Sequence, residues 1–213
     1  MIEPDSRYNI APSQSVAVVT NEHAEPRIDF ARWGLVPQWA RDGSVTAGSR
    51  MINARAETLA SKPAFSRLLM WRRCLIPADG FFEWQKTGKT KTPWRFQLKN
   101  ARPFAFAGLW DQWQSPDGQL LKTCTIITTS ANALVASVHN RMPAMLDDAN
   151  CRRWVNAAEQ SIEAVAKMLE PYPASEMIAF PVSSAVNSPA KDESAMIEPA
   201  AASDSVTFQL ELF

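Results

Sequence analysis

Six short runs of β-branched and aromatic residues, set off by turn-forming and polar residues, commit this chain to a fold made mainly of strands. They are Ser15–Thr20, Arg73–Ile76, Gly80–Gln85, Trp94–Leu98, Phe104–Leu109 and Cys124–Thr129. None reaches the length of an ordinary helix, and their apolar residues fall at adjacent or alternate positions rather than every third or fourth. Fifteen prolines against seven glycines punctuate the chain further. Lys86–Thr92 reads as a hairpin loop between two aromatic strands, and Pro116-Asp117-Gly118 as a second turn. Helices are expected only at Asp147–Glu159, which opens on aspartate, and at Ser161–Leu169, before Pro171. The expected fold class is α+β, a single domain built on a mainly antiparallel, barrel-like β-sheet with a few flanking helices.

With 213 residues, 46% of them apolar, the chain can bury one real core. Lys+Arg and Asp+Glu both number 22, so net charge names no partner. Its distribution says more: residues 1–155 hold 20 basic against 13 acidic residues, and residues 156–213 hold 2 against 9. A basic body suits phosphate binding without requiring it. Cys74, Cys124 and Cys151 are odd in number and far apart, which indicates neither a disulfide framework nor a metal site. No signal peptide or long apolar run is present, so a cytoplasmic protein with no membrane contact is expected. Dinucleotide, P-loop, lipase-type and zinc-protease motifs are absent, and no cofactor or metal is expected.

Four constellations could carry chemistry. His139 stands in the polar turn Val138-His-Asn-Arg-Met-Pro143, where it is either an acid/base group or an ordinary surface histidine. Glu83 lies in Ala78-Asp-Gly-Phe-Phe-Glu-Trp84. Alternation puts it on one face with Phe81, and Phe82 and Trp84 on the other. Among aromatics its pKa should rise, although an exposed strand glutamate would read the same. Asn53, Arg55 and Glu57 alternate, forming either a binding row on a strand or the start of a helix. Trp33-Gly-Leu-Val-Pro-Gln-Trp39 places two indoles near Arg32, Arg41 and Arg50, fit for stacking on bases or for the core.

Taken together, Arg7-Tyr-Asn-Ile-Ala-Pro12, Trp33-Gly-Leu-Val-Pro37, Asn53-Ala-Arg-Ala-Glu57, Arg73–Trp84, Thr125-Ile-Ile-Thr-Thr129 and His139-Asn-Arg-Met-Pro143 resemble the SRAP family, the SOS response-associated peptidase or abasic-site processing proteins. The resemblance runs over roughly residues 7–199, and the expected SRAP-like domain spans 1–199. It implies a monomeric protein that binds single-stranded DNA at abasic sites and captures the sugar aldehyde as a thiazolidine. The α-amine and thiol come from an N-terminal cysteine in that family. Asn53, Glu83 and His139 are the implied catalytic residues; Asn9, Trp33, Arg55, Arg141 and Pro143 are the implied DNA contacts. This sequence departs at its start: the family begins Met-Cys-Gly-Arg, and this one begins Met-Ile. Two expectations follow, a natural protein with a longer start that carries the cysteine, or a relative that binds DNA and a partner without crosslinking. Autopeptidase activity would need the same thiol.

Composition turns small and polar over residues 200–207, which read as a flexible linker. The last residues, Gln209, Leu210, Glu211, Leu212 and Phe213, resemble the peptide by which bacterial repair proteins bind the replication sliding clamp. Gln209 would hydrogen-bond in one subsite, and Leu212 and Phe213 would fill an apolar pocket beside Leu210. A terminal strand packed on its own domain is the alternative.

Overall fold

Alternation along β1 (Ser15–His23) and its antiparallel partner β2 (Glu25–Trp33) sends Val16, Val18 and Ala31 to one face, and burying that face requires the sheet to curl. The computed structural model describes residues 6–23, 25–156 and 161–200, and in it the curl runs to closure. After the short β3 (Asn53–Arg55), β4 (Arg73–Ala78) pairs with β1. A second, three-stranded sheet starts with the hairpin of β5 (Phe81–Thr87) and β6 (Thr90–Leu98). Then β7 (Phe104–Gln114) pairs with β4, β8 (Leu120–Ser130) pairs with β7, and β8 meets β2 in parallel. Strands β1, β2, β8, β7 and β4 therefore form a closed five-stranded ring with no free edge. Beyond it, β3 and β9 (Arg141–Pro143) extend the two edges of β8, β10 (Met145–Leu146) extends β7, and β11 (Met177–Pro181) completes the second sheet against β6.

A ring this small leaves little interior room. Cys74, Ile76, Phe106, Trp110, Cys124 and Ile126 fill it, and Gly108 lies opposite Cys74. A Cβ on Gly108 would sit 2.9 Å from Cys74 Sγ and from Ile76 Cδ1, and 3.1 Å from the Thr125 carbonyl. One end of the barrel is closed by charge. Lys122 Nζ donates to Asp29 at 2.5 Å and to Glu22 at 2.9 Å, and it lies over the Trp110 ring, which also carries the Arg72 guanidinium. Burial alone would depress the Lys122 pKa, but the bonds from Asp29 and Glu22 outweigh it and raise it. Burial likewise pushes Asp29 up, and the Lys122 and Phe30 hydrogen bonds more than reverse this. The stability Asp29 contributes is thus present above its unfolded pKa, about 3.9, and is lost as pH falls through its lower folded value.

The other end is closed by aromatic packing from the second sheet. Phe81 stacks on Phe96 at 5.2 Å and meets Phe106 edge-on at 6.0 Å, with Phe104 edge-on to Phe106. Outside the barrel, after the short α1 (Val45–Ser49), α2 (Pro63–Trp71), α3 (Asp148–Val155) and α4 (Ile162–Met168) lay Phe65, Leu68, Leu69, Trp154, Val165 and Met168 against Ala107, Leu109 and Ile127. Buried Arg73 ties this layer to β4 by donating to the carbonyls of Leu69, Trp154 and Asn156. A third, smaller cluster covers the back of the second sheet, where Val182, Val186 and Met196 meet Phe82 and Trp84.

The expected architecture holds, with local corrections. Most of the expected Lys86–Thr92 loop is strand; only Gly88 and Lys89 turn, Thr87 facing Thr90, with Gly88 at φ +61°. The first expected helix is shorter, Asp148–Val155, and residues 157–160 lie outside the described ones. Of the expected linker 200–207, residues 201–207 also lie outside them, as do the tail residues Gln209, Leu210, Leu212 and Phe213. We predict that Gly108→Ala lowers unfolding free energy by about 1–3 kcal/mol, read by urea denaturation; an unchanged midpoint would mean that the barrel interior is looser than described.

Candidate active site at the aromatic end of the barrel

The aromatic end is also where the chemistry-bearing residues gather. Strand β5 buries Phe81 in the core, and two residues on the same face bring Glu83 to the margin, opposite Trp94 of β6. The expected split of this strand is observed, since Phe82 and Trp84 face the third cluster. The Glu83 side chain is 23% exposed, and its Oε1 lies 3.8 Å from Nδ1 of His139, whose side chain is 45% exposed. Burial raises the Glu83 pKa, and the charge of His139 takes back part of the rise. Glu83 therefore holds its proton to higher pH than a free carboxylate, with an imidazole 3.8 Å away. The neighbouring indole Nε1 of Trp94 is buried without a hydrogen-bond partner among the described residues.

The turn carrying His139 is built by local bonds. Asn132 Oδ1 accepts from the Val135 N–H, starting a 3-10 turn at Val135–Ser137, and the His139 N–H closes onto the Val135 carbonyl. Gln85 of β5 donates to the Ser137 carbonyl at 3.2 Å, tying this turn to the strand that carries Glu83. His139 Nδ1 then lies 3.2 Å from the Arg141 N–H and 3.1 Å from the Arg141 carbonyl.

Next to this pair, β8 sets the register of a polar row. In β3, Asn53 lies beside Ile126 and Arg55 beside Thr128, while on the other edge of β8 Pro143 lies beside Thr128 and Arg141 beside Ser130. Neighbours in register share a face, so Asn53, Arg55, Arg141 and Pro143 belong to one surface. Asn53 and Arg55 are exposed there. Both alternatives for this segment are realised in sequence: a strand to Arg55, then a 3-10 turn over Ala56–Thr58. Glu57 consequently leaves the row and pairs with Arg141, which holds its carboxyl below the usual range.

Other expected contacts sit differently. Asn9 is only 5% exposed, and its Nδ2 donates to the carbonyls of Val186, Ser188 and Lys191. Asp192 accepts from the Tyr8 and Asn9 N–H groups and from Arg7, so Asn9 is a brace between the chain's two ends rather than an available DNA contact. Trp33 is half-buried, packs on the barrel core and donates to the Ile52 carbonyl at 2.8 Å. The exposed indole of that segment belongs to Trp39, at 71%. Its loop is anchored behind it: Gly34, at φ +130°, approaches Gly48 where a Cβ would lie 3.0 Å from the Gly48 carbonyl oxygen, and Arg32 donates to the Gly43 and Ser44 carbonyls. Arg41 and Arg50 remain exposed.

The thiols are far from reactive. Burial pushes Cys74 well up, Cys124 to about 12 and half-buried Cys151 to about 11. Among the described residues no cluster of His, Cys, Asp and Glu could hold a metal ion, and no helix is long and apolar enough to cross a membrane.

A family model described as SOS response associated peptidase (SRAP) matches residues 2–189. The chain belongs to the SRAP family. It is 46% identical over 192 residues to the abasic site processing protein YoqW of Bacillus subtilis (strain 168), covering 90% of this chain and 85% of that one. It is 33% identical over 223 residues to the abasic site processing protein HMCES of Gallus gallus, covering 90% and 66%. A crystal structure of a protein from Bacteroides thetaiotaomicron matches it with TM-score 0.79 and 29% identity, over 89% of this chain and 82% of that one. A SRAP fold on these residues predicts thiol silence: in the native protein at pH 7.5, iodoacetamide should leave Cys74 and Cys124 unmodified by peptide mass spectrometry. Rapid labelling of either would contradict their burial.

Proposed function

We propose that this protein processes abasic sites in single-stranded DNA, with Glu83 and His139 as its proton-handling pair and Asn53 beside them at the reacting sugar. The observation that carries this reading is the half-buried Glu83 carboxyl, its pKa raised by burial, 3.8 Å from the exposed imidazole of His139. The names of the relatives YoqW and HMCES support it. Arg55 and Arg141 would engage phosphates, and Pro143 would shape the rim next to them.

An abasic sugar is a hemiacetal, and only its ring-opened aldehyde is reactive. Opening needs a proton delivered to the ring oxygen and one removed from the anomeric hydroxyl, which a carboxylic acid and an imidazole can share. An amine then adds to the aldehyde and loses water to give an imine. A thiol on the same residue closes the ring, sulfur bonding to the imine carbon and its proton going to nitrogen, with one water lost overall. Cys74, Cys124 and Cys151 have no α-amine beside the thiol and stay protonated, so they do not serve. An N-terminal cysteine of the family's kind would supply both groups; an N-terminal amine alone would stop at the imine. The same reasoning excludes these three thiols as peptidase nucleophiles.

Incubating the natively expressed protein with an abasic single-stranded oligonucleotide and reading intact mass is the test. The expected product is the protein plus one oligonucleotide less one water, or the same imine captured by cyanoborohydride. Glu83→Gln should slow its formation by about 100-fold and remove the pH limb set by the Glu83 proton, activity falling as pH rises through its raised pKa in the parent. Reversible binding with no adduct and no strand scission would leave a binding module only. For the tail, we propose docking on a replication sliding clamp through Gln209, Leu210, Leu212 and Phe213; removing residues 209–213 should abolish clamp binding and leave DNA affinity unchanged.

A further inference from the structure

Among the described residues, the hydrogen-bonding contacts of the His139 imidazole are with the backbone of Arg141. Its Nδ1 lies between the N–H and the carbonyl of Arg141, 3.2 and 3.1 Å away, with Glu83 Oε1 at 3.8 Å. A neutral ring with its proton on Nε2 accepts from that N–H, whereas a ring protonated at Nδ1 donates to that carbonyl and faces Glu83. A small displacement of the Arg141 backbone therefore changes which nitrogen carries the proton. Arg141 is held by the pairing of its backbone with Ser130 between β9 and β8 and, further out, by its own side chain. Nη1 donates to Glu57 Oε1 at 2.5 Å, and Nη2 donates to Glu57 Oε2 at 2.9 Å and to the Thr128 carbonyl at 2.6 Å. A bidentate guanidinium–carboxylate pair fixes the relative plane of both groups, and β8 supplies a rigid third point.

We propose that Glu57 is a positioning residue for the abasic-site reaction: by gripping Arg141 it fixes the turn at residues 139–141 and holds the imidazole of His139 against Glu83. The inference rests on the roles given to Glu83 and His139 above. The charged groups around the imidazole are Glu83 from β5 and the Arg141–Glu57 pair from β9 and the 3-10 turn after β3. Arg55 is a further cation on the β3 edge, and Gln85 of β5 is neutral. A carboxylate on a rim that receives phosphates also opposes DNA binding. Were Glu57 only a local charge, its removal would tighten DNA binding and leave the chemistry alone; as a positioning residue, its removal slows the chemistry.

With two histidines in the chain, a His23→Gln background leaves His139 as the single imidazole, and its ring 15N resonances report tautomer and hydrogen bonding directly. Glu57 lies at the surface, so Glu57→Gln should fold, which its melting temperature checks. Glu57→Gln is expected to shift both ring resonances toward averaging between tautomers. It should also lower the adduct rate at saturating abasic DNA by at least about tenfold, a readout that any tightening of DNA binding leaves in place. Arg141→Lys, which cannot form the bidentate pair, should reproduce the resonance change. Ring resonances in Glu57→Gln that superimpose on the parent's would overturn the proposal, as would tighter DNA binding at an unchanged rate. Altered resonances in a protein whose parent forms no adduct would retract the functional reading and uphold the Glu57–His139 linkage, because the resonance readout needs no DNA.

Discussion

Strand β8 has hydrogen-bonded partners on both edges, and the rest of the molecule depends on that. On one edge it pairs with β2 at Thr123 and Cys124 and then with β3 from Ile126 to Thr128; on the other it pairs with β7 and then with β9. The first half of each edge closes the barrel, and the second half builds the site. Its Lys122 enters the charged plug at one end, and its Thr128 accepts Arg141 at the other, so one strand separates stability from chemistry by its own length. Closure also removes the exposed edges on which a sheet of this composition would aggregate.

The site works by partial burial. Glu83 is close enough to Phe81 and Trp94 to lose solvent and gain proton affinity, yet His139 remains largely exposed where a substrate could reach it. Deeper burial of the pair would leave an unpaired charge in a low-dielectric core, at a cost that neutralises the group instead. Full exposure would return Glu83 to an ordinary carboxylate. The second sheet holds this balance because its hairpin is clamped on both faces: by the aromatic contacts of Phe81 and Phe96 below and by Val182, Val186 and Met196 against Phe82 and Trp84 above.

The strands carrying the core were legible because their apolar runs are local signals, and so was the Phe81/Glu83 alternation. Strand β2 was not, since Glu25–Trp33 leaves Ile28 and Phe30 exposed and so breaks the expected polar-out pattern. Helix α2 begins at Pro63 without a side-chain cap, which removed the usual start signal. Closure of the ring is a long-range pairing with no local trace. At the site, residue types in motifs pointed to Glu83, His139 and Asn53, but the partners of a side chain are set by the fold. Asn9 looks like a ligand in one dimension and is buried on three backbone carbonyls in three, Trp33 is half-buried on the Ile52 carbonyl, and the diversion of Glu57 to Arg141 follows from where β3 stops.

Under the proposed function, DNA is handled at the aromatic end of the barrel and nowhere else, which amide chemical-shift mapping with an abasic single-stranded oligonucleotide checks. Perturbations should concentrate at Asn53, Arg55, Glu83 and His139, fading toward the plug of Lys122 and Trp110. Shifts centred on that plug, or on the basic groove between α3 and α4 lined by Arg153 and Lys167, would contradict it.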